Sequence, residues 1–307
     1  MMKIRRVSIV GMGALGILYG NFFAKTLGKN AVNFIADKER VYKYQNEDIF
    51  CNNEKCDFHI IDGSVSTEKA DLLIFAVKST ALLDAIKTVK NQVGENTIIL
   101  SVLNGITSEE IIGNAFGKEH MLYCVAQGMD AVKLGNKLTY SHIGQLCIGN
   151  LEDEAEKLEM LEAVMNLFDE ISLPYTREEN IKHRLYSKWM LNVGVNQVVM
   201  VNKGTYKTVQ EEGKPREMMK AAMREVIAIA QKEHVSVTEE DLNSYVALID
   251  TLDPSGMPSM RQDGALKRYS EVELFAGTVI KKAEKYGLEV PVNKELYMEV
   301  QKLESNY

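Results

Sequence analysis

Three polar residues, Lys188, Asn192 and Asn196, recur at intervals of four within a mostly apolar stretch from Glu178 to Val201. In a helix, residues with this spacing lie on one face and form a single polar stripe. Because the other faces are largely apolar, we expect an interior helix whose buried lysine and amides need partners. The stripe is therefore predicted to line a cleft. A desolvated lysine has a lowered pKa, which suits Lys188 to proton transfer near neutral pH.

A second set of spaced residues follows the apolar run Val7–Val10 near the start of the chain. A Gly-x-Gly-x-x-Gly sequence after a strand and before a helix is typical of dinucleotide binding. Gly11 permits a tight turn, Gly13 lets the backbone approach a pyrophosphate, and Gly16 lets the helix pack closely. The free N–H groups of the helix N-terminus then hold the phosphates. The expected nucleotide contacts are Gly11, Met12, Gly13, Ala14, Leu15 and Gly16.

The residue that distinguishes NAD from NADP is expected about twenty positions after the glycines. Here the predicted strand 31–36 ends at Asp37. An acidic residue at this position binds a ribose 2′-hydroxyl and favours NAD. Lys38 and Arg40 follow directly, and either could neutralise the 2′-phosphate of NADP. The residues alone leave both nucleotides open.

Two further apolar runs, 70–77 and 96–103, are typical of parallel strands buried on both faces. They end at Lys78 and Asn104. Ligands of open α/β sheets bind beyond the carboxyl ends of the strands. We therefore expect Lys78, Asn104, Asp37 and the glycine turn to converge on one crevice, with Lys78 contacting a phosphate or ribose.

The elements that must position these residues suggest two domains, since 307 residues exceed one small core. The predicted fold class is α/β, with an N-terminal Rossmann-type dinucleotide-binding domain over residues 1–176 and an all-helical C-terminal domain over residues 177–307. A further strand is expected near 121–127, and antiparallel strands near 137–140 and 145–148 are expected to close the sheet. The predicted later helices are 152–171, 178–201, 217–233, 239–252, 263–286 and one ending at 303.

Composition excludes several classes of protein. The net charge of −7 argues against nucleic acid as the main partner. The four cysteines form no C-x-x-C pair and have no histidine at ligand spacing, so neither a metal site nor a disulfide framework is expected. No apolar run has transmembrane length and no signal peptide is recognisable. We expect a cytoplasmic protein with a small-molecule partner and no membrane contact.

Taken together, these stretches resemble the ketopantoate reductase (2-dehydropantoate 2-reductase) family over essentially the whole chain. The stretches that carry the resemblance are Gly11–Gly16, Val77-Lys78, Asn104-Gly105, residues 142–144, Lys188 with Asn192 and Asn196, residues 240–242 with 245–246, and residues 259–263 followed by Glu271. The resemblance implies NADPH-dependent reduction of 2-dehydropantoate to pantoate, in pantothenate biosynthesis. It also implies a Rossmann domain followed by a helical domain, with substrate in the cleft between them and a possible homodimer.

The same resemblance implies roles for individual residues. Lys188 would be the general acid that protonates the C2 oxygen as hydride arrives, and Glu271 would anchor the lysine, the substrate or the cofactor. Asn104 would contact cofactor and substrate, as would Lys78. The hydroxyl and carboxylate of the keto acid would be held by Asn192, Asn196 and Ser259. From the residue pattern alone, Glu271 is a solvated charge on a helix surface.

Three positions depart from the family pattern and leave alternatives open. Asp37 follows Ala36 where the family often has arginine, which leaves NAD beside NADP. Gln197 stands where proline often follows the asparagine, and Gly256 stands where an asparagine is often found. A different branched 2-keto acid is therefore the second hypothesis. A protein that senses NAD(P) without turnover is the third, although a sensor has no need of a lysine poised for proton transfer.

Overall fold

The computed structural model describes residues 2–65, 68–151 and 157–307. The chain divides into two compact units, one formed by Met1–Leu103 with Thr107–Ile181 and the other by Asn104–Ile106 with Lys182–Tyr307. The short segment Asn104–Ile106 thus belongs to the second unit, although its neighbours in sequence belong to the first. The domain boundary after residue 176 stays a prediction.

The first unit contains strands and helices in alternation. Its strands in the described residues are β1 (Val7–Val10), β2 (Val32–Ala36), β3 (Phe50–Cys51), β4 (Glu54–Lys55), β5 (His59–Asp62), β6 (Leu72–Phe75), β7 (Ile98–Ser101), β8 (Tyr123–Met129), β9 (Val132–Leu134), β10 (Lys137–Thr139), β11 (Ile143–Gly149) and β12 (Tyr175–Arg177). The helices that accompany them are α1 (Ala14–Leu27), α2 (Lys38–Asn46), α3 (Leu82–Val89), α4 (Ser108–Phe116) and α5 (Leu158–Glu170).

A parallel sheet with strand order β5-β2-β1-β6-β7 forms the centre of the first unit. Successive residues of each strand enter cores on opposite faces: Ile9 and Leu72 pack in one, Val10 and Leu73 in the other. Parallel strands need crossover connections, and these bring helices onto the faces of the sheet. The order reverses at β1, which is where open α/β sheets bind ligands. The predicted Rossmann-type fold is confirmed.

The expectation that later strands close this sheet is wrong. β8, β11 and β12 form a sheet of their own, and β3, β4, β9 and β10 form another. One isolated bridge, between Ile99 and Met121, leads from the central sheet toward β8. Beyond that bridge the main-chain groups of β8 pair along its length with antiparallel β11, so β8 does not extend the central sheet.

The elements of the second unit are helical, as predicted. They are α6 (Ile181–Val201), α7 (Lys207–Gln210), α8 (Lys214–Lys232), α9 (Glu239–Asp250), α10 (Ser259–Ala265), a 3₁₀ turn (Val272–Leu274), α11 (Ala276–Tyr286) and α12 (Pro291–Glu304). The core of the unit surrounds α6, where Trp189, Met190 and Val193 are fully buried. The expectation of an interior helix at this position is therefore confirmed.

One predicted helix, 263–286, is interrupted in the structure. α10 ends at Ala265, and α11 begins at Ala276. Between them Lys267 has φ +52°, which a helix cannot accommodate, and the N–H of Ser270 donates to Oε1 of Glu304 at 2.7 Å. Partners from distant parts of the chain satisfy the main-chain groups that a helix would have paired internally.

The structure also bears on the helix predicted over 152–171 and on the cysteines. The helix predicted over 152–171 begins at Leu158 in the structure, and its first positions, 152–156, lie outside the described residues. The cysteines Cys51, Cys56, Cys124 and Cys147, all within the described residues, are buried and take part in no disulfide bond. Within the described ranges, none of the helices combines the length and the apolar character that crossing a membrane requires.

Candidate active site

The turn between β1 and α1 requires glycine at two of its three glycine positions. Gly11 has φ +104°, and a Cβ there would lie 2.5 Å from the carbonyl oxygen of Ala76. A Cβ on Gly16 would lie 1.9 Å from the carbonyl oxygen of Gly11. The strand-to-helix packing of this chain therefore explains both glycines without any ligand.

Strand-to-helix packing does not explain the glycine at position 13. Its backbone is extended, with φ −79° and ψ −167°, and an added Cβ would meet its nearest atom, the Ala76 oxygen, at an ordinary 3.6 Å. Gly13 is exposed, whereas Met12 is buried, and Ala14 and Leu15 are half-buried. No side chain caps the first turn of α1 and that turn contains no acidic residue. The bare backbone and helix N-terminus thus suit a pyrophosphate, and the turn fits a dinucleotide.

Asp37 and Arg40 form a pair at the carboxyl end of β2. Asp37 is the N-cap of α2: its Oδ1 accepts from the N–H of Arg40 at 2.8 Å. Its Oδ2 accepts from Nη1 of Arg40 at 2.9 Å. The side chains are 43% and 56% exposed, and Lys38 beside them is exposed. A carboxylate and two cationic side chains therefore lie together at the end of β2.

Lys78 is exposed and follows β6, where it begins a 3₁₀ turn over Ser79–Ala81. Since β2, β1 and β6 are neighbours in the sheet, Asp37, Gly11 and Lys78 follow the same edge. Three of the four segments expected at this edge are thus in the first unit. The fourth, Asn104, belongs to the second unit.

In the second unit, Asn104 lies between a cation and a carboxylate. Nζ of Lys188 is 3.1 Å from Oδ1 of Asn104, and Nδ2 of Asn104 is 3.4 Å from Oε2 of Glu271. All three side chains are half-buried. The structure therefore brings Lys188 together with two residues from distant parts of the chain. The residue pattern alone placed Glu271 on a helix surface, and no local signal would have selected it.

The two asparagines of the stripe form a pair one turn further along α6. Nδ2 of Asn196 donates to Oδ1 of Asn192 at 3.0 Å. Their other amide atoms, Nδ2 of Asn192 and Oδ1 of Asn196, are buried and have no hydrogen-bond partner among the residues that the structure describes. Reversing both amides would still leave one donor and one acceptor, so this conclusion does not depend on their assignment. Buried polar groups are normally paired, which indicates that the asparagine pair receives a ligand.

The structure does not join Ser259 to this pair. Ser259 is the exposed first residue of α10, and in the described part of the chain its hydroxyl bonds to neither Asn192 nor Asn196. Its role as a substrate contact stays a prediction. At Gly256, an added Cβ would lie 3.1 Å from the ring of Tyr206, so that ring takes the space of a side chain at this position.

Family models and a curated relative point to the same family. Two family models match the chain: "Ketopantoate reductase PanE/ApbA" over residues 7–153 and "Ketopantoate reductase PanE/ApbA C terminal" over residues 180–304. A curated 2-dehydropantoate 2-reductase from Streptococcus pyogenes is 24% identical over 294 residues, with 93% of each chain covered.

Two solved structures resemble the chain over nearly its full length. A PanE/ApbA family ketopantoate reductase from Ralstonia eutropha has a TM-score of 0.83 at 22% identity, covering 98% of this chain and 99% of that one. D-mandelate dehydrogenase, solved with NADH and anilino(oxo)acetate, has a TM-score of 0.86 at 21% identity and the same coverage. At these identities the structural likeness shows the fold, while the family models, which together match most of the chain, show the family. The chain belongs to the ketopantoate reductase family and is an NAD(P)H-dependent oxidoreductase.

Proposed function

We propose that this protein reduces 2-dehydropantoate (ketopantoate) to pantoate with NADPH, a step of pantothenate biosynthesis. The observation that carries the proposal is the unpaired donor and acceptor of Asn192 and Asn196, on the same helix face as Lys188. Membership of the ketopantoate reductase family supplies the reaction class. Asn192 and Asn196 would select a particular kind of keto acid.

The bound nicotinamide cofactor would supply hydride to C2 of the keto acid. The ammonium group of Lys188 would donate a proton to the C2 oxygen as negative charge develops there. Lys188 has only donors and a Glu271 carboxylate has only acceptors, so Asn104 between them can satisfy both with its amide in one orientation. Glu271 thereby fixes the amide of Asn104, and Asn104 holds Nζ of Lys188.

The asparagine pair favours a substrate with a hydroxyl group. A hydroxyl both donates and accepts, so it can satisfy Nδ2 of Asn192 and Oδ1 of Asn196 together. A carboxylate only accepts, and an alkyl group does neither. Leaving a buried polar atom unsatisfied costs about 1–3 kcal/mol. Ketopantoate, which has a hydroxyl beyond its branched carbon, meets this requirement.

The nucleotide proposal rests on Asp37, Lys38 and Arg40. Arg40 neutralises Asp37 in the structure, which leaves the exposed Lys38 and the guanidinium edge to receive a 2′-phosphate. NAD is the alternative, since Asp37 could exchange its bond with Arg40 for one with a ribose hydroxyl. The likeness to a dehydrogenase solved with NADH keeps this alternative open.

A second candidate function is reduction of another branched 2-keto acid. The observation that favours it is the ring of Tyr206 against Gly256, close in sequence to Ser259, where the family often has asparagine. An aromatic ring there gives the surroundings of Ser259 a different shape and polarity. The two candidates differ in the keto acid and share the role of Lys188.

The decisive experiment compares ketopantoate, the same carbon skeleton without its hydroxyl (3,3-dimethyl-2-oxobutanoate), and phenylglyoxylate. Each is offered with NADPH and with NADH, and nucleotide oxidation is measured at fixed enzyme concentration. We expect the highest kcat/KM for ketopantoate with NADPH, and a loss of about tenfold or more without the hydroxyl. In the matched variant Asn196→Leu, ketopantoate should lose this advantage.

Other outcomes would contradict the proposal in recognisable ways. Equal kcat/KM for the hydroxylated and unhydroxylated acids would remove the asparagine pair from substrate recognition. A higher kcat/KM for another keto acid would favour the second candidate. Tight NADPH binding without oxidation by any of these acids would instead indicate a nucleotide sensor.

A further inference from the structure

A second row of residues on α6 lies beside the polar stripe. Trp189, Val193 and Gln197 each follow a stripe residue by one position, so they have the same spacing and lie about 100° further around the helix. Trp189 is 1% exposed, and Val193 and Gln197 are completely buried. Trp189 and Gln197 each have one polar side-chain atom that bonds to the main chain of the same segment.

That segment is the turn that begins at Glu271. Nε1 of Trp189 donates to the carbonyl oxygen of Leu274 at 2.8 Å. The N–H of Leu274 in turn donates to the carbonyl oxygen of Glu271 at 2.9 Å, which closes the turn. Trp189 therefore holds the main chain of the turn that presents Glu271.

Gln197 holds the same segment at its other end. Its Oε1 accepts from the N–H of Ala276, the first residue of α11, at 3.2 Å. Its Nε2 donates to the carbonyl oxygen of Val193 at 2.7 Å and lies 3.3 Å from Oδ1 of Asn293. All polar atoms of this buried amide are thus engaged, and the start of α11 is tied to α6.

The held turn also supports Asn104. Gly105 has φ +91°, and a Cβ added there would lie 3.4 Å from Cβ of Leu274. Leu274 therefore lies beside the residue that follows Asn104. The side chain of Leu274 thus packs beside the Asn104 segment, and its carbonyl group accepts a hydrogen bond from Trp189.

We propose that Trp189 and Gln197 are positioning residues of the reductase. They fix the turn 271–276 against α6 through its main chain, and so set Asn104 and Glu271 relative to Lys188. Neither residue contacts substrate in this scheme, and each acts through Glu271 and Asn104. The inference rests on the proposed reductase activity, and its test includes a measurement that needs no turnover.

The test is a double-mutant cycle of Trp189→Phe with Glu271→Ala. Trp189→Phe keeps an aromatic ring and removes the N–H; we expect kcat to fall about tenfold, with little change in KM for the nucleotide. In the Glu271→Ala background, where the turn presents no carboxylate to orient the amide of Asn104, the same change should lower kcat by less than about twofold. Additive losses would overturn the proposal and leave Trp189 a merely structural residue.

Gln197→Met is a second, nearly isosteric variant that should show the same pattern, even if Trp189→Phe folds poorly. The matched control is Gln210→Met, because Nε2 of Gln210 also donates to main-chain carbonyl groups, those of Ile249 and Leu252, at 2.8 and 2.9 Å. The control should lower the unfolding temperature to a similar degree while leaving kcat unchanged.

Amide hydrogen exchange gives the readout that is independent of substrate. Both positioning variants should speed exchange across residues 271–276, and Gln210→Met should not. Unchanged exchange in both positioning variants would overturn the inference. If none of the tested keto acids led the wild-type protein to oxidise NADPH, the proposed function would be contradicted. Hydrogen exchange would still report whether the turn is held.

Discussion

At the scale of single residues, the order of donors and acceptors defines the site. Lys188 can only donate and a carboxylate at Glu271 can only accept, so Asn104 transmits the orientation from one to the other. The asparagine pair is defined differently, by one donor and one acceptor that find no partner within the described ranges of the chain. The first group orients a proton donor, and the second is suited to recognise a hydroxyl.

Lys188→Ala tests the proton donor. We expect kcat for the keto acid to fall by about 10²–10⁴-fold, the usual contribution of a general acid, with NADPH affinity unchanged. Lys182→Ala is the matched control, because Lys182 is an exposed lysine near the start of the same helix. Turnover and nucleotide titration measure the two effects separately. Retained turnover in Lys188→Ala would remove this lysine from the mechanism.

At the scale of elements, the glycines of the turn from β1 into α1 fall into two groups: packing within the chain explains some of them, and ligand binding is proposed for the other. Gly11 and Gly16 are required by atoms of the chain itself, whereas the position of Gly13 has room for a methyl group. The N-terminus of α1 has neither a capping side chain nor an acidic residue in its first turn. The element is therefore shaped for an anion.

Substitution of the two glycines by alanine should give opposite results. Gly16→Ala places Cβ 1.9 Å from a carbonyl oxygen, so we expect a loss of more than about 3 kcal/mol in the free energy of unfolding. Gly13→Ala should change stability by less than about 1 kcal/mol, the usual range at a helix N-cap. It should nevertheless weaken NADPH binding by roughly tenfold, because the methyl group enters the phosphate site. Urea unfolding and nucleotide titration distinguish these outcomes. Unaltered nucleotide affinity in Gly13→Ala would argue against a pyrophosphate at this turn.

At the scale of the whole molecule, the second unit is held together by a buried carboxylate. Glu233, at the end of α8, accepts from Tyr186 of α6 and from Tyr286 and Lys282 of α11, the last at 2.6 and 2.9 Å. Burial alone raises the pKa of Glu233, but the hydrogen bonds from Lys282, Tyr186 and Tyr286 outweigh it and the pKa is lowered. Its side chain is only 10% exposed, so solvent screens these contacts little.

Stability should therefore depend on pH through Glu233. A carboxyl group whose pKa is lower in the folded state stabilises that state above its unfolded pKa, about 4.3, and loses this contribution as pH falls through the folded pKa. Glu233→Gln should cost about 3 kcal/mol at pH 7, and the difference from wild type should shrink below about pH 4. Urea unfolding of both proteins between neutral and acidic pH provides the measurement. A difference that is constant with pH would show that Glu233 is not the titrating group.

The sequence by itself determined the features that arise from local patterns. The glycine spacing, the apolar strands and the polar stripe of α6 each follow from residues within one or two turns of one another, so periodicity and turn chemistry reveal them. For the same reason the two-part α/β and helical organisation was predictable. The family resemblance added Glu271 and Ser259, which no periodicity selects.

Only the tertiary structure decided where the intervening segments lie. After α10 ends at Ala265, the N–H of Ser270 bonds to Glu304 and the carbonyl group of Leu274 to Trp189, residues separated in sequence by 34 and 85 positions. The bond between Lys188 and Asn104 spans 84 positions. Backbone groups form whichever hydrogen bonds the packed chain offers them. A local pattern contains no information about partners so distant, and these contacts decided the geometry around the lysine.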